Sequence, residues 1–371
     1  MTNKRDSGHV NSAAKKESLT EYLKRMAKSV DAKLEEVLKR EASEQYLSNL
    51  LGRSGYKYDT EAITKSIFEP AWYLLDKGGK RLRAVLMLTV IDALGKNPAD
   101  FIEFSLIPEV IHNGTLVHDD IEDGSKERRG YPCVHTAFGL DIALNLGDFM
   151  YYFPIIALID TKKIDERIKN RILVIYGREM TRIAIGQATD LAWHDNLVDP
   201  HSITEEKYLQ MVFGKTGTLS SMAAQFAGAI CEADESTMKA LARFGATLGV
   251  AFQIQDDLLN IIPSGVSESK GGVGDDITEG KMTLFVIYAM GHAPKKEGER
   301  LIEILKMHTP DKKLIDEAIY IIKRSGAIEY AKELQRQFVT DAWEGIDKSL
   351  KDSDAKARLK EILQFVAGRS I

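Results

Sequence analysis

The sequence predicts an all-α protein, and three observations carry that prediction. Apolar residues recur at helical spacing along most of the chain. No sustained two-residue alternation bounded by turn residues interrupts them. The breaks are short: Lys77-Gly78-Gly79, Gly95-Lys96-Asn97-Pro98, Gly130-Tyr131-Pro132 and Asp199-Pro200, with one longer stretch from Pro263 through Gly274. No internal repeat and no long Pro/Gly/Ser linker divides the pattern, so it describes one domain.

Taken in order, residues 1–17 carry Lys4, Arg5, Lys15 and Lys16 but no apolar stretch. They read as a flexible N-terminal tail and not as a secretory signal. Ser18-Leu19-Thr20-Glu21 is a capping box. Behind it Leu19, Tyr22, Leu23, Met26, Val30, Leu34, Val37 and Leu38 keep one apolar stripe, so the ordered domain is placed at 18–371. Helical patterns follow over 60–76, 81–95, 102–122, 136–159, 164–193, 204–232, 235–262, 281–291, 297–307, 311–324 and 327–350. The stretch from Pro263 to Gly274 is placed to act as a mobile lid beside whatever the preceding helix carries.

With 371 residues, 44% of them hydrophobic, the chain can bury a large core. Its 50 basic and 55 acidic residues leave a net charge of −5, which argues against nucleic acid as a partner. Cys133 and Cys231 match no zinc or redox spacing and suit a reducing, cytoplasmic setting. The longest apolar run, Phe149 to Ile159, contains Pro154 and lies between Asp148 and Asp160. It is better explained as a buried helix than as a membrane span, so no stable membrane insertion is expected.

Two acidic clusters close apolar helical runs. The first is His118-Asp119-Asp120-Ile121-Glu122-Asp123, followed by Arg128-Arg129-Gly130; the second is Gln253-Ile254-Gln255-Asp256-Asp257-Leu258-Leu259-Asn260. Residues four apart share a helix face, so Asp119 with Asp123, and Asp256 with Asn260, can chelate together. Carboxylates without His or Cys companions suit hard cations such as Mg²⁺, held jointly with substrate phosphates. Acidic runs are usually solvated faces, but here Val110, Ile111, Leu116 and Val117 sink the helix into the core. Buried acids without counter-charge would cost several kcal/mol each.

Gly78-Gly79-Lys80-Arg81-Leu82-Arg83 offers close backbone approach and cationic donors to a phosphate. Phe213-Gly214-Lys215-Thr216-Gly217-Thr218 lacks the spacing and the preceding strand of a nucleotide-binding P-loop. Gly186-Gln187-Ala188-Thr189-Asp190-Leu191 puts polar groups inside a helical apolar pattern, and Gly274-Asp275-Asp276-Ile277-Thr278-Glu279-Gly280-Lys281 presents a lysine to an anion.

These motifs, in this order from about residue 70 to 290, resemble the trans-isoprenyl diphosphate synthases of the polyprenyl synthetase family. The resemblance implies a single-domain antiparallel helical barrel of the isoprenoid synthase type and a homodimer. It also implies Mg²⁺-dependent head-to-tail condensation of isopentenyl diphosphate with allylic diphosphates. On that basis Asp119 and Asp123 bind two Mg²⁺ with Asp120 in support, and Asp256 binds a third with Asp257 and Asn260 in or behind its shell. Arg128, Lys215 and Lys281 grip the allylic diphosphate. Gln253 and the Thr216 backbone line the place where the allylic cation forms, and Asp190 supports Lys215 or the metal pair. Lys80, Arg83, His112 and Arg129 hold the other diphosphate without metal. Two departures stand out: Asn260 replaces the usual Asp, and Lys270 sits two residues before the usual loop-lysine position, where it can substitute.

Product length rests on the residues one turn before Asp119. Gly114 and Thr115 are small, where short-product members carry aromatics, and are expected to face the growing chain. Deeper stops are Ile111, Pro108, Met150, Tyr151 and Tyr152. The surrounding residues resemble geranylgeranyl diphosphate synthases, so a C20 product is expected; C15 or longer products are the alternatives. A terpene cyclase would not need the Lys80-Arg83-His112-Arg129 set, and a non-catalytic subunit would tend to lose the acids kept here.

Overall fold

The computed structural model describes residues 17–159, 161–262 and 273–368. Residues 1–16 of the tail, most of the Pro263–Gly274 stretch and Lys270 lie outside the described residues. The chain begins with α1 (Leu19–Val37), α2 (Glu44–Leu51), α3 (Thr60–Ile63), a π-turn at Thr64–Phe68, and α4 (Glu69–Leu75). Then come α5 (Leu82–Ala93), α6 (Ile102–Glu122), α7 (Val134–Phe138), α8 (Leu140–Tyr152), α9 (Ile156–Ile159) and α10 (Glu166–His194). Next are α11 (Glu205–Val212), α12 (Thr218–Ile230), α13 (Glu235–Ile261), α14 (Asp275–Thr278) and α15 (Leu284–His292). The chain closes with α16 (Lys295–Lys306), α17 (Lys312–Arg324), α18 (Ala327–Asp347) and α19 (Asp354–Ala367).

Local chemistry sets these boundaries. At α1 the Ser18 amide donates to Glu21 at 2.8 Å and the Glu21 amide to Ser18 Oγ at 3.3 Å, the reciprocal capping box. Asp165 and Asp234 cap α10 and α13. The expected single helix over 136–159 is cut twice. Gly139 adopts φ 99° between α7 and α8, and Pro154, lacking an N–H, sits in a 3₁₀ turn at Phe153–Ile155. The expected helix over 204–232 is interrupted by a π-turn at Phe213–Gly217. The sequence patterns did not anticipate α2 or α19.

α12 is buried at every residue except Gln225, as an all-round apolar helix requires. Each of its fully buried large side chains contributes roughly 1.5–3 kcal/mol. Around it α5, α10 and α13 pack, and α18 covers the far side of α13. One apolar cluster joins α1, α5, α6, α8, α12 and α19; a second joins α11, the C-terminal half of α13, and α15 to α18. The C-terminal parts of α6, α10 and α13 line one cavity. The segment Leu140–Ile159 alone among the described helices is long and apolar enough to cross a membrane, by length and composition; 39% of it is buried inside the fold.

Candidate active site

A cavity of about 560 Å³ opens between α6, α10, α11 and α13. Asp119 lines it from the end of α6 and Asp256 and Asp257 from α13, so the two acidic clusters share one space. Arg83, His112, Arg128, Lys215, Thr216, Gln253 and Lys281 line it too. Its apolar wall includes Leu116, Tyr151, Met180, Ile183, Leu219 and Phe252.

Asp119 and Asp123 are held by lysines. Lys215 Nζ lies 2.6 Å from Asp190 and 3.1 Å from Asp119, and Lys281 Nζ lies 3.1 Å from Asp123. Burial pulls the Asp119 carboxyl upward, but the charges of Lys215, Lys281 and Arg128 outweigh it and leave it below the usual range. At Asp123 burial wins against Lys281, and that carboxyl is raised. Lys215 reaches its partners because Gly186 has no side chain: a Cβ there would stand 2.3 Å from the Lys215 backbone nitrogen. The π-turn at Phe213–Gly217 puts Lys215 and Thr216 on the cavity wall, a use of π-turns common at functional sites.

Asp120 is 2% exposed and accepts twice from Arg128 Nε, at 2.7 and 2.8 Å. Arg128 reaches it through a two-residue antiparallel ladder, Glu127–Arg128 against Tyr131–Pro132. Among the described residues this is the one departure from the sheet-free expectation. Its tight turn uses Arg129 and Gly130, both at positive φ, 56° and 77°. Arg128 thus holds an acid of the first cluster in the arrangement seen here, where the sequence reading gave it to a diphosphate.

In the second cluster Asp257 rests on neutral donors. Asp257 accepts from Tyr208 Oη at 2.8 Å and Gln253 Nε2 at 2.7 Å. Thr216 Oγ1 donates to Gln253 Oε1 at 2.9 Å, which orients that amide. Burial, aided by the charge of Asp256, raises the Asp257 carboxyl to about 6. Asn260 does not face the cavity. Its Oδ1 accepts the Gly274 and Asp276 amides at 3.1 Å each, so it ties the Lys281-bearing turn to α13. An amide oxygen meets that need without adding charge beside the two buried acids.

Arg83 and His112 line the cavity, whereas Lys80 and Arg129 lie outside its wall. Lys80 Nζ sits 5.4 Å from the Phe365 ring of α19, and Arg129 donates to the Gly78 carbonyl. Burial, then the positive charges of Arg83, Arg129, Arg128 and Arg81, push His112 well below its ordinary value, so it is a neutral imidazole. Thr115 lines the cavity, but Gly114 does not. A Cβ on Gly114 would stand 3.0 Å from the Gly147 carbonyl and 3.0 Å from Met150 Cβ. Gly114 therefore lets α6 and α8 touch, and a side chain there would also meet the cavity-lining Tyr151 ring at 3.1 Å. Tyr151 faces the cavity and donates or accepts at His118 Nδ1 over 2.9 Å; Tyr152 is 68% exposed and points away.

Sequence reasoning missed Tyr208, whose position in an amphipathic helix reads as core, and the Gln187 bridge to Asp119 (3.3 Å) and Glu122 (2.6 Å). Among the described residues no three His, Cys, Asp or Glu side chains converge closely enough to bind a cation as they stand. The donors themselves are all oxygen, which fits a hard cation; Asp119 and Asp256 face one cavity, while Asp123 lies behind its wall against Lys281. The lysines occupy the places that cations would neutralise.

A family model described as polyprenyl synthetase matches residues 64–322. A short chain isoprenyl diphosphate synthase of Methanothermobacter thermautotrophicus is 35% identical over 310 residues, spanning 84% of this chain and 92% of that protein. A geranylgeranyl pyrophosphate synthetase from Pyrococcus horikoshii superposes with a TM-score of 0.80 at 31% identity, covering 95% of this chain and 99% of that one. A polyprenyl synthase from Caulobacter crescentus, solved with calcium and isoprenyl diphosphate, gives 0.77 at 25% identity over 96% and 99%. Motifs, helical architecture and these similarities agree: the chain belongs to the polyprenyl synthetase family and is a prenyltransferase that makes isoprenyl diphosphates.

Proposed function

We propose that this chain condenses isopentenyl diphosphate head-to-tail with allylic diphosphates and releases mainly the C20 product, geranylgeranyl diphosphate. It works as a Mg²⁺-dependent, cytoplasmic homodimer, with 18–371 as its catalytic domain. The observation that supports this reading is the single cavity in which two acidic helix ends, a basic edge and an apolar wall meet.

Asp119 and Asp123 would hold two Mg²⁺ and Asp256 a third, beside the allylic diphosphate. When bound, the ions neutralise the charge that develops on the leaving diphosphate. Lys215 and Lys281, displaced from their carboxylates, turn their ammonium groups to the same oxygens. The allylic carbon–oxygen bond breaks and the diphosphate leaves with the electron pair. Gln253 and Thr216 present oxygen dipoles to the resulting cation. Arg83 and neutral His112 place isopentenyl diphosphate so that its double bond attacks that carbon. The new carbon–carbon bond forms, and a proton then leaves the adjacent carbon for the released diphosphate.

The growing chain runs along Thr115, Leu116, Met180 and Ile183 toward Tyr151. The test is incubation with radiolabelled isopentenyl diphosphate, each allylic primer and Mg²⁺, followed by chromatography of the dephosphorylated products. C20 alcohol is expected, with none in a chelator; absence of any elongation overturns the reading. Thr115→Phe should shift products toward C15, and Tyr151→Ala should let some pass C20. Gly114→Phe should instead destabilise the fold by wedging α6 from α8.

A further inference from the structure

Two charged side chains beside the basic edge have no part in the reaction as described. Arg81 and Glu109 are 4% and 3% exposed. Arg81 precedes α5 in the left-handed conformation, φ 47°, which turns its guanidinium inward beneath the Gly78-Gly79 turn. Its Nε donates to Asp31 on α1 at 2.6 Å, and its Nη2 to the Leu75 carbonyl at 3.1 Å. Its Nη1 lies 3.8 Å from Glu109 Oε1 and has no hydrogen-bond partner among the described residues. Glu109 Oε2 and Arg83 Nε are likewise buried without a hydrogen-bond partner among them.

Glu109 stands three residues before His112 on α6, so the two share a helix face. Its charge acts on Arg83 and on Arg129. Arg129 belongs to the same crowd: a Cβ on Gly79 would meet Arg81 Nη1 at 3.2 Å and Arg129 Nη2 at 3.5 Å. Glu109 thus stands, buried, among three guanidiniums; Asp31 bonds Arg81, and Asp256 and Asp120 act on Arg83 and Arg129 from farther along the site. Guanidiniums this close repel one another, and a buried anion among them offsets that repulsion.

We propose that Glu109, acting with Arg81, is the positioning residue of the metal-free diphosphate subsite. It holds Arg83 and Arg129 at the spacing a diphosphate bridges and does not itself touch substrate. The inference rests on the reading of Arg83 and His112 as the isopentenyl diphosphate edge. Its sign is informative, because the alternative predicts the opposite. A carboxylate that were only a nearby negative charge would weaken anion binding, and its removal would tighten it.

The experiment is steady-state kinetics of the full-length enzyme, varying each substrate in turn. Glu109→Gln should raise the KM for isopentenyl diphosphate about tenfold, with the allylic KM and kcat changing less than about threefold. Glu109→Asp should recover part of the loss. Because a buried carboxylate can matter to folding, Asp31→Asn is the companion variant: it releases Arg81 Nε from a residue whose side chain is 49% exposed. It should show the same split, more weakly. Thermal stabilisation by inorganic diphosphate in a chelator should fall in both variants. Unchanged or lowered KM for isopentenyl diphosphate, or a parallel rise for both substrates, overturns the proposal. If the unaltered enzyme elongates nothing, the functional reading fails instead, and the two failures are distinct.

Discussion

At the acidic edge of the cavity the carboxylates Asp119, Asp123 and Asp190 already have a cation. Lys215 stands 2.6 Å from Asp190 and 3.1 Å from Asp119, and Lys281 stands 3.1 Å from Asp123. At the basic edge the balance is reversed: Arg81 Nη1 and Arg83 Nε are buried without a hydrogen-bond partner among the described residues, and His112 is neutral. The first edge is self-neutralised, so on the proposed reading a multivalent cation would enter by exchange and the freed lysines would become anion ligands. The second edge has more cation than acid, so an arriving anion completes it. On that reading two diphosphates would share one cavity and be sorted by whether metal accompanies them.

The largest effect should come from removing the acids. Asp119→Ala and Asp256→Ala should each lower turnover by about 10³-fold or more, because charge on the leaving group is no longer neutralised. Circular dichroism should show the helix content intact. If either variant keeps a tenth of the activity, the acidic edge is not where metal works and the comparison breaks.

Cations taken from opposite edges should separate kinetically. Lys215→Ala should lower kcat by about 10²-fold, since its contact with the diphosphate matters as the bond ionises. Arg83→Ala should mainly raise the KM for isopentenyl diphosphate, by about 10- to 100-fold. Equal effects on both substrates would mean that the edges act as one.

Much of this was legible before the fold was known, and the rest was not for identifiable reasons. The helix over 102–122 and its terminal acids follow from local pattern, since a helix is a local object. The two small residues of α6 were read together, but Gly114 and Thr115 differ by about 100° around the axis, and only tertiary packing reveals that one meets Gly147 and the other the cavity. The pairings Tyr208–Asp257 and Arg81–Glu109 join residues far apart in sequence, and a buried Tyr or Glu has no local mark of its partner. The π-turn under Lys215 was hidden because Phe213-Gly214-Lys215-Thr216-Gly217 continues a helical pattern. α19, which lays Phe365 against Lys80, carries a largely charged surface that masks its apolar face.

Asn260 gives an intermediate effect that sharpens the account of the acidic edge. Asn260→Ala removes an oxygen that accepts two amides, from Gly274 and Asp276. Stability should drop by about 1–3 kcal/mol, the cost of stranding buried donors. Turnover should fall only several-fold, because Lys281 is loosened and not lost. A fall as large as that of Asp256→Ala would make Asn260 a metal ligand after all.

The smallest effect concerns the basic edge and pH. His112 is held well below its ordinary value, first by burial and then by Arg83, Arg129, Arg128 and Arg81. The unfolded chain takes up that proton near pH 6.5, the folded chain only at lower pH. Below about pH 6.5 the unfolded state therefore binds more protons, and stability is lost as pH falls toward the folded value; above it, His112 contributes no slope. In a chelator, without substrate, the melting temperature of the unaltered protein should decline between about pH 7 and 5.5. His112→Gln keeps a neutral donor in the same place and should flatten that decline, while raising the KM for isopentenyl diphosphate less than His112→Ala does. The difference between the two melting profiles isolates the histidine, because the carboxylates contribute to both alike. Matching profiles would mean that His112 takes up a proton as readily folded as unfolded. The basic edge would then carry one more positive charge, and its contrast with the acidic edge would rest on the arginines alone.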